Sequence, residues 1–276
     1  MVVRTQPDPR CEHEHAQPIA DAVVWHDLEC GSYAIDLPLW QELAAEADGP
    51  VLDVGAGTGR VTLALARQGR TVTAVERDGE LLEALRERAA TLTMAAAVTT
   101  VQADARSLAL EHDDYALCIA AMQTIQLFEG ESGRSAFLRG ARARLRPGGV
   151  LACAIVTEVE PFDCASGDMG PSPELLRLGQ LRYISRATRV CVSREHIQIE
   201  RERRILPDTG RSSCSPKADA GAGPHAPLEQ NIVSLDRISV EQLQAEGRAA
   251  GLTPRGVHTI AATEEHTGCT AVLFGA

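Results

Sequence analysis

Aromatic residues are scarce in this chain of 276 residues: two tryptophans, three tyrosines and four phenylalanines, 3% of the whole. Its core must therefore be built from Ala, Val, Leu and Ile, within a hydrophobic fraction of 44%. Lysine is scarcer still. Lys217 stands alone among basic residues that are otherwise all arginine, and we read this as a genome-composition bias. No apolar run reaches about 18 residues, so no segment reads as a transmembrane helix. The opening stretch MVVRTQPDPRCEHEH has no apolar h-region of a secretory leader. None of the eight cysteines (Cys11, Cys30, Cys118, Cys153, Cys164, Cys191, Cys214, Cys269) forms a C-x-x-C pair. Scattered thiols of this kind read as reduced and structural and point to the cytoplasm. Positive charge is also short: the net charge is -11. Neither nucleic acid nor an anionic membrane is expected as a partner, because phosphate surfaces demand a basic footprint.

What is present divides into four stretches. Residues 1–48 form an N-terminal arm and a helical segment. The arm, 1–20, is polar and proline-bearing; its Glu12-His13-Glu14-His15 cluster reads as a solvated tail, and no metal site is expected. Residues 21–48 look helical, with Trp25, Leu28, Tyr33, Leu37, Trp40 and Leu43 as the large apolar positions and breaks at Gly31 and Pro38. Periodicity leaves two readings open, a helix packed on the core or a lid over a ligand.

Residues 49–157 alternate strand and helix. Strands are expected at 50–54, 71–75, 98–102, 115–121 and 150–157, with helices at 60–68, 79–90 and 135–145. This spacing means a parallel, doubly wound α/β sheet whose ligand edge lies beyond the strands' C-terminal ends. Residues 158–235 break the pattern. A Pro-, Gly- and Asp-rich stretch at 159–174 precedes strands at 181–192, 196–206 and 230–235, with a low-complexity loop at 207–228 expected to be mobile. This reads as an antiparallel β cap inserted after strand five. Residues 236–276 resume the core: a helix capped by Ser239 with Gln242 three residues on and ended by Gly251, then strands at 255–262 and 269–275.

The chemistry concentrates at Val51-Leu52-Asp53-Val54-Gly55-Ala56-Gly57-Thr58-Gly59-Arg60. A buried strand runs into three alternating glycines and then a helix. Glycines permit a tight turn and close approach of backbone to a ligand, and the helix start offers free N–H groups. Glu76 ends the next strand, placed to accept the two hydroxyls of a ribose. A nucleoside-containing cofactor is implied. The spacing is G-x-G-x-G, with Arg60 where the dinucleotide fingerprint has its third glycine, and Asp53 stands two residues before the first glycine. Neither feature suits a pyrophosphate.

Leu52 to Arg60 resembles motif I of the class I S-adenosylmethionine-dependent methyltransferases. The resemblance extends to Glu76, to Gln102-Ala103-Asp104-Ala105, to Leu145-Arg146-Pro147-Gly148-Gly149, and to the closing helix and hairpin. It implies a Rossmann-like methyltransferase fold with a mostly parallel seven-stranded sheet. It also implies S-adenosyl-L-methionine as cofactor, with S-adenosyl-L-homocysteine as product. By that resemblance Gly55, Ala56, Gly57 and Gly59 line the methionine and ribose portion, Asp53 supports the loop and the cofactor amine, and Glu76, with Arg77 beside it, holds the ribose. Asp104 and the Ala105 N–H take the adenine. Ala121, Met122 and Gln123 flank the methionine end, and Tyr33 folds over the cofactor, which favours the lid reading.

The loop after strand four, Ala120 to Thr124, lacks the Asn/Asp-Pro-Pro-aromatic pattern of nucleic-acid amino methylases and the glutamate pair of the protein-arginine branch. Cys118 lies within a strand, and Asp113 and Asp114 precede strand four on the wrong edge for a catechol-type metal site. A free small-molecule acceptor, methylated on N or O, is the reading that remains, in specialised metabolism by analogy with the elaborate cap. The protein is expected to be a monomer or homodimer. A catalytic base must reach the ligand edge. His266, in the last hairpin loop, and Tyr33 rank first, followed by His26. The cap arginines (Arg182, Arg186, Arg189, Arg194, Arg201, Arg203, Arg204) read chiefly as a polar sheet face paired with Glu200 and Glu202, with room for one to point inward. The competing readings are an NAD-dependent oxidoreductase and a non-catalytic cofactor-binding scaffold.

Overall fold

Strand β1 (Val51–Val54) and strand β4 (Tyr115–Ala120) are buried at every position. A strand covered on both faces cannot alternate polar with apolar, which is why each reads as a continuous apolar run. They form the centre of a seven-stranded sheet in a computed structural model that describes residues 19–208, 228–263 and 266–276. Outward on one side lie β2 (Val72–Glu76) and β3 (Val98–Gln102); on the other lie β5 (Leu145–Ile155), β12 (Cys269–Gly275) and β11 (Thr253–Ile260). β1 to β5 are mutually parallel, and β12 runs antiparallel to both neighbours. β5 begins at Leu145, so Pro147 to Gly149 lie within the strand and not in a turn before it.

Helices cover both faces. α2 (Leu37–Glu46) and α3 (Arg60–Arg67) bury Trp40, Leu43 and Leu65 with Leu117 and Ile119, while α4 (Gly79–Thr91) seats Leu82 and Leu85 on Ala56 and Ala74. α5 (Glu131–Arg144) and α6 (Val240–Ala249) pack Phe137, Leu138 and Leu243 against Leu52, Cys118 and Phe274. Asp78 caps α4, and Ser239 with Gln242 forms a complete capping box on α6. No helix among the described residues is long and apolar enough to cross a membrane.

A second sheet follows β5: β10 (Leu228–Asp236), β9 (His196–Pro207), β8 (Leu181–Val192) and β6 (Phe162–Asp163) in that order, with β7 (Glu174–Leu178) also on β8, all pairings antiparallel. This is the inserted cap. β6 and β7 occupy ground that the sequence presents as irregular. Both ends of the insertion are held by one buried side chain. Gln126 donates from Nε2 to the carbonyls of Val156 and Asp236 at 3.0 and 2.9 Å, and its Oε1 accepts the Val156 N–H at 2.8 Å.

The segment before β1 is α1 (Asp21–His26), a π-helical turn (Asp27–Gly31) and α2, not one interrupted helix. Gly31 ends the turn as expected. Pro38 lies in the first turn of α2 and starts that helix, because its missing N–H would have no partner there. Residues 12–15, Cys11, Cys214, Lys217, Glu265 and all of loop 207–228 between 209 and 227 lie outside the described residues.

Candidate active site

A cavity of about 540 Å³ opens where β1, β2, β3 and β4 end, and runs from the glycine turn to the inner face of the cap. The glycine turn forms its floor. Gly57 adopts φ +55°, and a Cβ there would stand 2.3 Å from the His26 imidazole. Its N–H donates to Glu76 Oε2 at 3.0 Å, and Glu76 Oε1 accepts the N–H groups of Arg77 and Asp78 at 2.8 and 3.0 Å. One carboxylate thus locks the turn after β1 to the loop after β2, and it faces the cavity.

Asp53 is wholly buried and accepts from Thr62 Oγ1 at 2.6 Å. Burial raises its pKa to about 6 against that hydrogen bond and the nearby Arg60. Arg60 itself reaches the cavity from the first turn of α3. It is held by the carboxylate of fully buried Asp36, by the Tyr33 carbonyl at 2.8 Å, and against the Tyr33 ring.

At the far end Asp104 N-caps a short 3₁₀ turn (Ala105–Ser107), and its carboxylate takes the Arg106 guanidinium as well as the Arg106 N–H. The hydrogen bonds from Arg106 hold its pKa down to about 2. Arg106 also pairs with Glu129 at 2.8 Å.

Asp53, Gly55, Ala56, Glu76, Arg77, Asp104, Ala105, Ala121, Met122, Gln123, Tyr33, His26 and His266 all line this one cavity. Gly57 and Gly59 do not, a departure from the sequence expectation. Gly57 lies beneath His26, and Gly59 faces Leu85, where a Cβ would stand 2.3 Å from Cδ1. Their role is to let α1 and α4 approach the turn.

The three candidate bases separate. His26 sits on the glycine turn beside Glu76, with Nδ1 3.3 Å from Thr58 Oγ1, and burial lowers its pKa. Its ring covers the turn at Gly57 and also lines the cavity. The Tyr33 hydroxyl meets the Cys269 thiol at 3.4 Å, and burial raises its pKa, so it stays protonated and its phenolate is not available as a base. His266 stacks edge-on to Tyr33, ring centroids 5.1 Å apart, with its backbone N–H on Thr263 Oγ1.

Among the cavity residues that sequence reasoning did not single out are Arg60 and Arg106, beside recognised motif positions, and the acids Glu29 and Glu174; Arg201 it named only as one of the cap arginines. The arginines adjoining motif I and Asp104 were visible as neighbours of those motifs. Glu174 had no such marker. The outer cap face pairs as expected, Arg189 with Glu200 and Arg204 with Glu202. Two arginines turn inward: Arg201 to Glu174 and Arg203 to Glu29 of the π-helical turn, the latter also 5.4 Å from the Trp25 ring centre. Residues 21–36 are therefore tied both to the cap and, through Asp27 to Arg88 and Thr58, to the core.

Residues 51–149 match the family model described as a methyltransferase domain. Over its whole described architecture the chain resembles two solved structures. One is CalS10, an amino pentose methyltransferase from Micromonospora echinaspora solved with S-adenosylmethionine bound. It is 15% identical, the match covers 94% of this chain and 99% of that one, and the TM-score is 0.61. The other is the sugar N-methyltransferase KedS8 from a Streptoalloteichus species, at 14% identity, 99% and 98% coverage and a TM-score of 0.63. By sequence the chain is similar to ribosomal RNA small subunit methyltransferase A of Brucella canis, 43% identical over 82 aligned positions that cover 26% of this chain. The chain spans 30% of the length of that relative. Residues 51–149 thus match a methyltransferase domain, and the chain as a whole has the fold of the class I methyltransferases.

Proposed function

We propose that this protein is an S-adenosylmethionine-dependent methyltransferase that places a methyl group on N or O of a small molecule, in specialised metabolism. The observation that carries the reading is a single cavity joining the glycine turn and Glu76 of the methyltransferase domain to the inner face of an inserted cap. The residues present fit the cofactor. Gly55, at φ +72°, leaves a cradle that a Cβ would close, 2.6 Å from Thr124 Cγ2. Glu76 is held for a ribose diol, Asp104 and Ala105 for the adenine edge, and Arg60 offers a fixed cation for a carboxylate. Asp53 sits where a ligand ammonium would stabilise its charged form. When bound, S-adenosylmethionine supplies an electrophilic methyl group on sulfur. The chain's own task is to orient an acceptor in line with that methyl, exclude water and take up one proton.

The sequence relatives act on RNA by name, but the chain carries a net charge of -11, which opposes a phosphate backbone. Two of the solved relatives act on sugars by name, which favours a small polar acceptor.

The test is calorimetric titration with S-adenosylmethionine, S-adenosylhomocysteine and NAD. Micromolar-range binding of both sulfur compounds, weakened at least about tenfold in Asp104→Ala and without NAD heat, supports the reading. NAD binding alone turns it to the oxidoreductase. Sulfur-cofactor binding with no turnover across an acceptor panel turns it to the scaffold.

A further inference from the structure

We infer that Glu174, on the cap strand β7, is the carboxylate that contacts the acceptor, that Arg201 is its positioning residue, and that the acceptor it selects carries a basic amine. The inference rests on the methyltransferase reading and names the substrate class of that same cavity.

Glu174 lines the cavity from the cap strand β7. Its Oε2 accepts from Arg201 Nη1 at 3.2 Å. Among the described residues its Oε1 has no hydrogen-bond donor. His266 and Thr267 also line the cavity, and His266 acts electrostatically on Glu174, whereas the neighbouring Glu29, Tyr33 and Cys30 do not offer a free acceptor. Both oxygens of Glu29 are taken, Oε1 by Ser185 and Arg203 and Oε2 by Arg203. The Tyr33 hydroxyl faces Cys269, and burial holds the Cys30 thiol up at about 11, so it stays protonated. Of the two acids Glu29 and Glu174, it is thus Glu174 that has acceptor capacity left, and burial also raises its pKa.

The ligand class follows from charge. An anion drawn to Arg201 would meet Glu174 and Glu29 beside it, and Arg201 is already paired with Glu174 and lies 3.5 Å from Ser185 Oγ. An ammonium instead gains a charge-assisted hydrogen bond from the spare oxygen, and a hydroxyl gains less. Ile199, Val233 and Leu235 of the cap supply apolar wall for the carbon frame. In the reaction, Glu174 takes one proton from the bound R–NH₃⁺. The freed nitrogen lone pair forms the N–C bond to the methyl as the S–C bond breaks, its electron pair staying on sulfur. Arg201 holds the other oxygen, so the carboxylate does not rotate away.

The experiment is calorimetric titration of the S-adenosylhomocysteine complex at pH 8 with glucosamine, its isomers bearing the amine on other ring carbons, and glucose. The expected result is saturable binding of at least one aminosugar, at least about tenfold tighter than glucose, with that preference lost in Glu174→Gln and S-adenosylhomocysteine affinity unchanged. Arg201→Met should lose the preference and Arg201→Lys restore it, which a merely structural role for Arg201 would not produce. No amine preference in the wild type, or a preference that survives Glu174→Gln, overturns the inference while S-adenosylhomocysteine still binds. If S-adenosylhomocysteine does not bind, the methyltransferase reading itself fails.

Discussion

The two sheets of this protein use burial in opposite ways. In the seven-stranded sheet, β1 and β4 are covered at all positions, and Asp53 is the one charged residue in either strand. Its ligand-facing groups come from strand ends and from a backbone turn. In the cap, polar side chains in mid-strand face inward: Ser185 on β8, Arg201 and Arg203 on β9, with Glu174 at the start of β7. The core fixes a shape that one cofactor class fits. The cap fixes a set of charges, and charges can be exchanged without rebuilding a fold. On the proposed reading, recognition of the common ligand and of the variable one would fall to separate sheets.

The join between them is where the largest effect is expected. Gln126 pairs three backbone groups at the two roots of the cap, and all of them are buried with it. Gln126→Leu keeps the volume but orphans two carbonyls and one N–H. At 1–3 kcal/mol for each unsatisfied group, the expected loss is about 4 kcal/mol in urea unfolding. A loss below about 1 kcal/mol would mean that the cap is registered by its own pairings and that the two sheets are independent.

A smaller effect should separate shape from charge inside the core. Asp53 has its pKa raised to about 6 because burial penalises the carboxylate. A group whose pKa is raised on folding gives stability that is full below its unfolded pKa and lost as pH rises through the folded one. Between about pH 4 and pH 8 the ligand-free protein should therefore lose up to about 3 kcal/mol through this residue. Asp53→Asn should flatten that part of the melting-temperature profile. An unchanged slope would show that Asp53 is not the titrating group.

How far each region could be read from sequence follows the same division. Val51 to Val54 and Tyr115 to Ala120 announce themselves as apolar runs, and the glycine turn, Glu76 and Asp104, picked out from the sequence, come together on one cavity. The long cap strands β8 and β9 were legible because their lengths and the Ser193-Arg194-Glu195 turn frame a hairpin. β7 was not. Its sequence, Glu-Leu-Leu-Arg-Leu, turns Glu174 toward the cavity and leaves Leu175 47% exposed, so alternation marks no face. Which arginine turns inward depends on register across β8, β9 and β7, and register is a tertiary fact. The orientation of the candidate bases was not legible for a related reason. His26 and Tyr33 do reach the cavity, but which way a ring points is set by Gly57 and Cys269, 31 and 236 positions away in sequence.

The outer cap face offers the control that sharpens the comparison. Arg189 pairs there with Asp163 at 3.4 Å and Glu200 at 3.3 Å, with its side chain 45% exposed, whereas the inner pair Arg203–Glu29 is 14% and 10% exposed. Water screens the outer charges and competes for their hydrogen bonds, so such pairs contribute about 0–1 kcal/mol. Removing one member of a desolvated pair leaves the other without compensation and costs far more. Arg189→Met should therefore change urea stability by no more than about 0.5 kcal/mol and leave S-adenosylhomocysteine affinity untouched. A loss several times larger would mean that β6, which meets the rest of the cap through only Phe162 and Asp163, hangs on that arginine. The outer face would then be as structural as the inner one, and the division of labour proposed for the cap would fail at its edge.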